Sequence, residues 1–193
     1  MLLALNKPFG HLSQFTPDHP GQKTLSSLQI PKNVYPLGRL DRDSEGLLLL
    51  SDETGLNNQL LNPQNAHPRT YWVQVEGEIT EGALAELSTG VIIQGRTTLP
   101  ATAKEIHPTL APRQPPIRDR QNIPTSWISL ELRQGRNRQV RKMTAAVGFP
   151  TLRLIRVGIG QFQLPSSLSP GTWYSLSGQE RKEVFQLNQV RRR

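Results

Sequence analysis

The feature that most constrains the fold of this chain is its set of short apolar segments. Some have the spacing of a strand and others that of a helix, and the two kinds do not alternate regularly. Alternating or continuous apolar residues predict short strands at Leu2–Leu5, Gly46–Leu50, Tyr71–Val75, Ile128–Leu132 and Leu152–Val157. Helical spacing of apolar residues predicts helices at residues 54–61, 80–90, 137–147 and from 179 onward. Because strands and helices do not alternate as βαβ units, the pattern predicts an α+β fold with mixed or antiparallel sheet.

Residues with capping preferences define the ends of the predicted helices. Thr80 and Asn137 are the expected N-caps of the second and third helices, because such side chains accept hydrogen bonds from the N–H groups of a first helical turn. Gly90 and Gly148 follow the last apolar residues and are typical of helix ends. We expect the last helix to begin at Gln179 and to end in the three terminal arginines.

The segment 107–125 contains five prolines and belongs to neither class of element. Proline lacks a backbone N–H donor and fixes φ, so five prolines this close together exclude a regular helix or strand. We therefore expect a long loop, and loops of this length are usually functional or disordered.

The residue composition excludes several classes of site. The chain has no cysteine, which rules out disulfides and thiolate chemistry, and its four histidines show no metal-ligand spacing. No apolar run approaches the ~20 residues of a membrane helix, and the start of the chain carries no secretory signal. We therefore expect a cytoplasmic protein without a metal site and without a membrane partner.

The charge is strongly positive and unevenly distributed. Lysine and arginine number 23 against 15 acidic residues, a formal net charge of +8. No acidic residue lies between Glu131 and Glu180, whereas that stretch holds seven lysines and arginines. A general arginine bias would not separate the charges in this way, so the pattern predicts a localised surface for a polyanion such as nucleic acid.

Asp41 is the first candidate for chemistry. It lies between Arg39 and Arg42, in a predicted turn before the buried strand Gly46–Leu50. We expect the two arginines to favour the ionised carboxylate, which is the form that acts as a nucleophile or a general base. Taken alone, the same pattern is also typical of an ordinary turn or cap aspartate.

The second candidate is a basic segment at the start of the third predicted helix. A helix N-terminus is combined there with Arg136, Arg138, Arg141 and Lys142. Backbone N–H groups and cations together favour phosphate binding. The alternative is a solvated basic helix face.

The third candidate is Tyr71, which follows Arg69 and Thr70. An aromatic ring beside a cation at the edge of a cleft can stack on a nucleic-acid base. The alternative is a core-facing strand tyrosine in register with Val73 and Val75.

Five motifs, in order along the chain, resemble the pseudouridine synthases. They are residues 6–10 (NKPFG), 38–50 (GRLDRDSEGLLLL), 69–71 (RTY), 135–143 (GRNRQVRKM) and 154–156 (LIR). The resemblance runs nearly from end to end and points to the branch with ribosomal small-subunit synthase A and large-subunit synthases B, E and F. Residues 115–127 are similar to the synthase E group in particular.

The resemblance implies an isomerase that converts a specific uridine of 23S ribosomal RNA to pseudouridine without a cofactor. It implies that Asp41 is the catalytic aspartate, that Tyr71 contacts the target base, and that Arg141 pairs with the aspartate. It also implies a place for Arg39 near the RNA stack from which the target nucleotide is flipped. The side chains expected to bind RNA are those of Arg39, Arg42, Arg69, Arg136, Arg138, Lys142 and Arg156.

The fold implied by the resemblance has two lobes of mixed sheet with flanking helices and an active cleft between them. We expect one catalytic domain over residues 1–193. Its first lobe is predicted at about 1–62 plus a C-terminal return near 161–178, and its second at about 63–160. Many relatives carry an N-terminal S4-like RNA-binding module, but this chain starts at the predicted first strand. We therefore expect no S4 domain, and a monomeric enzyme.

Two other functions use the same features. A non-catalytic RNA-binding or ribosome-assembly protein would need the basic surface but not Asp41. An RNA hydrolase would use Asp41 and Asp43 to hold Mg²⁺, although the neighbouring arginines disfavour a cation there. For the isomerase, the sequence leaves open whether Asp41 attacks C6 of uracil, attacks C1′ of the ribose, or removes a proton from C2′.

Overall fold

Every strand and helix predicted from the apolar pattern is present. The structure, a computed structural model, describes residues 1–117 and 123–186. The strands are β1 (Leu2–Lys7), β2 (Tyr35–Pro36), β3 (Glu45–Ser51), β4 (Arg69–Glu76), β5 (Ile92–Ile93), β6 (Arg96–Thr97), β7 (Thr102–Ile106), β8 (Thr125–Leu132), β9 (Thr151–Ile159), β10 (Phe162–Gln163) and β11 (Trp173–Ser175). The α-helices are α1 (Leu56–Leu61), α2 (Glu81–Thr89), α3 (Gln139–Ala146) and α4 (Gly178–Phe185). The predicted α+β class is confirmed.

The described chain divides into two compact units. The first comprises Met1–Arg69 together with the described part of Arg156–Arg193, and the second comprises Thr70–Ile155. Strand β9 contributes residues to both. Within the described ranges, no helix is both long enough and apolar enough to cross a membrane.

The first unit is built on the strand order β11-β1-β3-β9, with β2 added to β3 and β10 added to β9. β1 runs antiparallel to both of its neighbours, and Leu5 pairs with Leu48 of β3. All seven residues of β3 are buried. Leu47 and Leu49 belong to a core cluster that also contains Leu60 of α1 and Val184 of α4. The four-leucine run thus forms a strand that is covered on both faces, because side chains alternate along a strand.

The second unit has the strand order β9-β4-β8-β7, and its helices α2 and α3 cover one face. The core on that face is formed by alternate residues of β4 and β8 and by apolar residues of the two helices. Val73, Ile128 and Leu130 are fully buried there, as is Met143 of α3. A separate two-stranded hairpin is formed by β5 and β6.

The predicted cap of α2 is confirmed. The Thr80 hydroxyl accepts a hydrogen bond from the Ala83 backbone N–H at 3.2 Å, and Gly90 ends the helix with its N–H on the Glu86 carbonyl. This is the pattern that a threonine N-cap and a C-terminal glycine produce from local sequence alone.

The predicted cap of α3 is wrong. Arg138, not Asn137, occupies the N-cap position, with a left-handed φ of 51° and no side-chain hydrogen bond to the first turn. The Asn137 carbonyl instead accepts a hydrogen bond from Lys142 at 2.8 Å. The Gln139 side chain accepts from the Arg136 N–H at 3.0 Å, so a glutamine inside the helix supports the turn before it.

The last helix is shorter than predicted. α4 begins after Ser177, whose hydroxyl and backbone N–H form a capping box with Glu180, and it ends at Phe185 with Gln186 as its C-cap. The three terminal arginines lie outside the described residues, as do Arg118–Asn122 of the proline-rich loop. The sequence did not predict β2, β5, β6, β7, β10 and β11, which are two to five residues long.

Candidate active site

The turn that carries Asp41 is held by a backbone hydrogen bond and by the buried side chain of Ser13. The Ser44 N–H donates to the Asp41 carbonyl at 3.0 Å and closes the turn. On the other side of Asp41, the Ser13 hydroxyl donates to the Leu40 carbonyl at 2.7 Å and accepts from the Leu40 N–H at 3.0 Å. Ser13 is only 5% exposed. One buried hydroxyl therefore fixes both backbone groups of the residue before the candidate aspartate.

A buried lysine holds the other end of the same turn. Lys7 is the last residue of β1 and its side chain is fully buried. Its Nζ donates to the Ser44 carbonyl at 2.7 Å and to the Pro8 carbonyl at 3.0 Å. Since Lys7 also pairs with Gly46 in the β1–β3 register, the side chain joins the strand end to the turn that precedes β3.

The charges around Lys7 link it to Asp41. Burial lowers the pKa of Lys7 to about 8, because the low-dielectric interior disfavours its ammonium form. The carboxylates of Glu45, Asp43 and Asp41 oppose this shift, and the Arg156 guanidinium adds to it. The first unit therefore brings Asp41 into electrostatic range of the buried Lys7 amine.

This mixture of charges disfavours the Mg²⁺-dependent hydrolase. The Lys7 ammonium interacts with the same carboxylates that a divalent ion would need, and the Arg156 guanidinium adds further positive charge. In the part of the chain that the structure describes, no group of three or more histidine, aspartate or glutamate side chains is placed to hold a metal ion.

The two arginines that flank Asp41 lie on the surface of the first unit. Both Arg39 and Arg42 are exposed. The Arg42 backbone carbonyl accepts from the Gly10 N–H at 2.8 Å, and the Arg42 Nε donates back to the Gly10 carbonyl at 3.4 Å. The NKPFG segment therefore contacts the aspartate turn through its glycine as well as through its lysine.

Arg69 and Arg156, which were also predicted to bind RNA, belong to the first unit and donate hydrogen bonds to its backbone. Arg156 is 4% exposed, and its Nε donates to the Leu47 carbonyl at 2.8 Å. The Arg69 Nη2 donates to the Leu60 carbonyl at 3.0 Å. An RNA phosphate needs an accessible cation, so the burial of Arg156 does not support its direct contact with RNA, which stays a prediction.

Tyr71 and Arg141 belong to the second unit. Tyr71 is half-buried on β4 and packs against the core cluster that contains Val73. Part of its ring is therefore in the core, as the strand alternation predicts, and part is accessible. Arg141 is half-buried on α3, and its Nη1 lies 3.5 Å from the Thr151 carbonyl.

The basic segment before α3 is connected to the β5–β6 hairpin. The Arg136 guanidinium donates to two carbonyls of the hairpin, at 3.1 and 3.3 Å. The Lys142 Nζ donates to the Gln94 side-chain oxygen at 2.9 Å, whereas Arg138 is exposed. Arg136 and Lys142 therefore have a structural role in addition to the charge that they contribute.

Lys7 and Ser13 are the site residues that sequence reasoning missed. Lys7 lies in one of the recognised motifs, but a lysine before Pro-Phe-Gly is also typical of an exposed turn. Ser13 lies in a polar loop and has no signal of its own.

The chain is similar to proteins of one known family. The profile described as RNA pseudouridylate synthase matches residues 1–146. The chain belongs to this family. The ribosomal large subunit pseudouridine synthase E of Xanthomonas campestris pv. campestris is 49% identical over 176 residues, which cover 90% of this chain and 94% of the relative. The synthase E of Vibrio vulnificus is 49% identical over 91% of this chain and 75% of its own length.

A solved structure agrees with the family assignment. The crystal structure of a pseudouridylate synthase superposes with a TM-score of 0.78 and 26% identity, covering 95% of this chain and 73% of that one. This chain is thus a pseudouridine synthase with the fold of that family, and it is an isomerase. The membership predicted from its motifs is confirmed. The family match at residues 1–146 includes Asp41, Tyr71 and Arg141.

Proposed function

We propose that this pseudouridine synthase isomerises one uridine of large-subunit (23S) ribosomal RNA, with Asp41 as its catalytic aspartate. The observation that carries the proposal is the 49% identity to relatives named ribosomal large subunit pseudouridine synthase E, over 90% and 91% of this chain. The net charge of +8 agrees with a polyanionic substrate.

The proposed reaction is balanced within the nucleotide itself. The bond between C1′ and N1 breaks, uracil rotates, and a bond between C1′ and C5 forms. C5 releases one proton and N1 gains one, so substrate and product have the same atoms and the same oxidation state. The protein must activate the glycosidic bond, hold the detached uracil, and keep water from the reactive sugar.

Asp41 is proposed to supply the activating carboxylate in one of three steps: attack on C6, attack on C1′, or removal of a proton from C2′. Each step requires a carboxylate whose position is fixed before the substrate arrives, because ordering it during the reaction would raise the barrier. Lys7 and Ser13 support this role, since they hold the backbone on both sides of Asp41.

The second unit is proposed to supply the partners of this carboxylate. Tyr71 would contact the target base with the accessible part of its ring, and Arg141 would pair with Asp41, as the family resemblance implies. Of the surface cations, the exposed side chains of Arg39, Arg42 and Arg138 are the best placed to meet phosphates. Arg39 would lie beside the base stack from which the target uridine is flipped.

Carbodiimide mapping of pseudouridines tests the proposal. We expect ribosomal RNA from cells that lack this chain to lose one pseudouridine signal in 23S RNA and none in 16S RNA. The purified protein should restore the same signal on a 23S transcript and leave a 16S transcript unmodified. An unchanged 23S map, or a lost signal in 16S RNA, would refute the assignment to the large subunit.

A further inference from the structure

A pocket of about 260 Å³ lies within the second unit, beneath the proline-rich segment. Three strand residues form its floor, Gln74 of β4, Trp127 of β8 and Arg153 of β9. Residues of the segment 108–117 form its wall. None of the three floor residues lies in the five family motifs or among the proposed catalytic residues, although Trp127 ends the segment 115–127 that is similar to the synthase E group.

The floor faces away from the core of the second unit. The strand neighbours Val73, Ile128 and Leu154 are all buried in the core cluster beneath α2 and α3. Because successive side chains of a strand point to opposite faces, the three floor residues lie on the other face. Tyr71 packs with the core cluster and is therefore on the opposite side of this sheet from the pocket. The pocket is not the place where Tyr71 would meet the target base.

The wall of the pocket is held in place by arginine side chains. The Arg153 Nη1 donates to the Ala111 carbonyl at 2.9 Å, which fixes the segment above the floor. The Arg113 Nε and Nη2 donate to the carbonyls of Pro115 and Pro116, each at 2.9 Å. Prolines have few backbone conformations to lose, so the wall costs little entropy to maintain. A preformed pocket binds a ligand without that ordering penalty.

The lining chemistry selects a flat ring attached to an anion. The Trp127 indole offers a stacking surface and the proline rings offer apolar edges. The Gln74 Nε2 donates to the Thr125 hydroxyl at 3.1 Å, and its amide oxygen is the group that can accept a hydrogen bond from a base edge. Two arginines and no acidic residue are present among the described residues that line the pocket. Pockets for drug-sized ligands measure roughly 300–1,000 Å³. The volume of about 260 Å³ is below that range and suits one base rather than a larger ligand.

We propose that this pocket binds an unpaired nucleotide of the RNA substrate, with its base stacked on Trp127, at a position other than the isomerised uridine. The inference rests on the proposed function, since it takes RNA as the substrate. A second base held on the opposite sheet face would fix the register of the RNA, so Trp127 is a specificity-determining residue. A base-stacking contact strengthens substrate binding and leaves the chemical step unchanged.

The test uses the full chain and a 23S ribosomal RNA transcript, with tritium release from [5-³H]uridine as the assay. We expect Trp127→Leu to raise KM about tenfold, the size of one lost stacking contact, with kcat unchanged. Trp127→Phe, which keeps a smaller ring, should raise KM by about two- to threefold. Trp173→Leu, which removes a half-buried tryptophan of the first unit, is the matched control and should leave KM unchanged.

Ultraviolet cross-linking of the wild-type complex identifies the bound nucleotide. We expect a cross-link from the peptide that contains Trp127 to a nucleotide other than the isomerised uridine. An unchanged KM in Trp127→Leu, or a cross-link to the isomerised uridine itself, would overturn the inference. The pocket would then bind a ligand other than an RNA base, such as a protein segment. Wild-type protein that releases no tritium would refute the proposed function, whereas an active wild type with an unaffected Trp127→Leu variant refutes this inference alone.

Discussion

Replacing Lys7 with methionine tests whether the amine that contacts the aspartate turn has a pKa lowered by burial. Lys7 is fully buried, and burial lowers its pKa from 10.5 to about 8. Below pH 8 the amine is protonated in both the folded and the unfolded chain. Between pH 8 and 10.5 the unfolded chain still holds a proton that the folded chain has lost, so the free energy of unfolding rises with pH in this window. Methionine has no such proton, and the variant should lack this rise.

The size of the effect follows from the two pKa values. The difference of 2.5 between 10.5 and 8 corresponds to about 3 kcal/mol over the whole window. Integrated from pH 7 to 9.5, the wild type should gain about 2 kcal/mol of stability relative to Lys7→Met.

Urea unfolding of both proteins at pH 7 and pH 9.5 measures this change. Comparing variant with wild type cancels the titration of the other groups. Lys104→Met is the matched control, because Lys104 is exposed on β7 and the same substitution there should leave the pH dependence unchanged. A stability difference between wild type and Lys7→Met that stays constant from pH 7 to pH 9.5 would refute the account of Lys7.

Three further predictions concern the fold. Gly160→Ala should lower the free energy of unfolding by more than ~1 kcal/mol in thermal melts, because φ is +63° and a Cβ would collide with carbonyls of the last turn of α4. Thr80→Ala should cost ~1 kcal/mol in urea titrations, whereas Asn137→Ala should cost under ~0.5 kcal/mol; equal losses would contradict the cap assignments. Arg181 holds the pKa of Glu53 at about 2, a stabilisation present above pH 4.5 and lost as the pH falls toward 2. Because both side chains are 37% exposed, Glu53→Gln should lower the free energy of unfolding by less than ~1 kcal/mol at pH 6 and by almost nothing at pH 2. A loss of the same size at both pH values would contradict this role of Arg181.

The sequence predicted those parts of the fold that local patterns determine. The leucine run of β3 and the alternation of Tyr71, Val73 and Val75 on β4 marked two strands, because apolar periodicity alone decides which face is buried. Thr80 marked the start of α2 because an N-cap hydrogen bond joins residues only three positions apart, so its signal is also local. The shortest strands gave no such signal, because two or three residues do not show a period.

The parts that could not be predicted depend on distant partners. Lys7 reaches the carbonyl of a residue 37 positions away, and Ser13 reaches one 27 positions away. Asn137 is not the N-cap because Arg138 occupies that position in a left-handed conformation. The proline-rich segment was predicted as a loop, but the placement of residues 108–117 beside Trp127 depends on the folded sheet. Such contacts have no short-range pattern for a sequence to show.

The catalytic role of Asp41 is tested most directly by Asp41→Asn in the tritium-release assay on the 23S transcript. Asparagine keeps the shape of the side chain but can neither attack carbon nor accept a proton as a carboxylate does. We expect release to fall at least ~1,000-fold, with RNA affinity and the unfolding midpoint close to wild type. Asp18→Asn, which changes an exposed acid elsewhere in the first unit, should retain full activity. An Asp41→Asn protein that still forms pseudouridine at the wild-type rate would contradict the mechanism and favour a non-catalytic role for this residue.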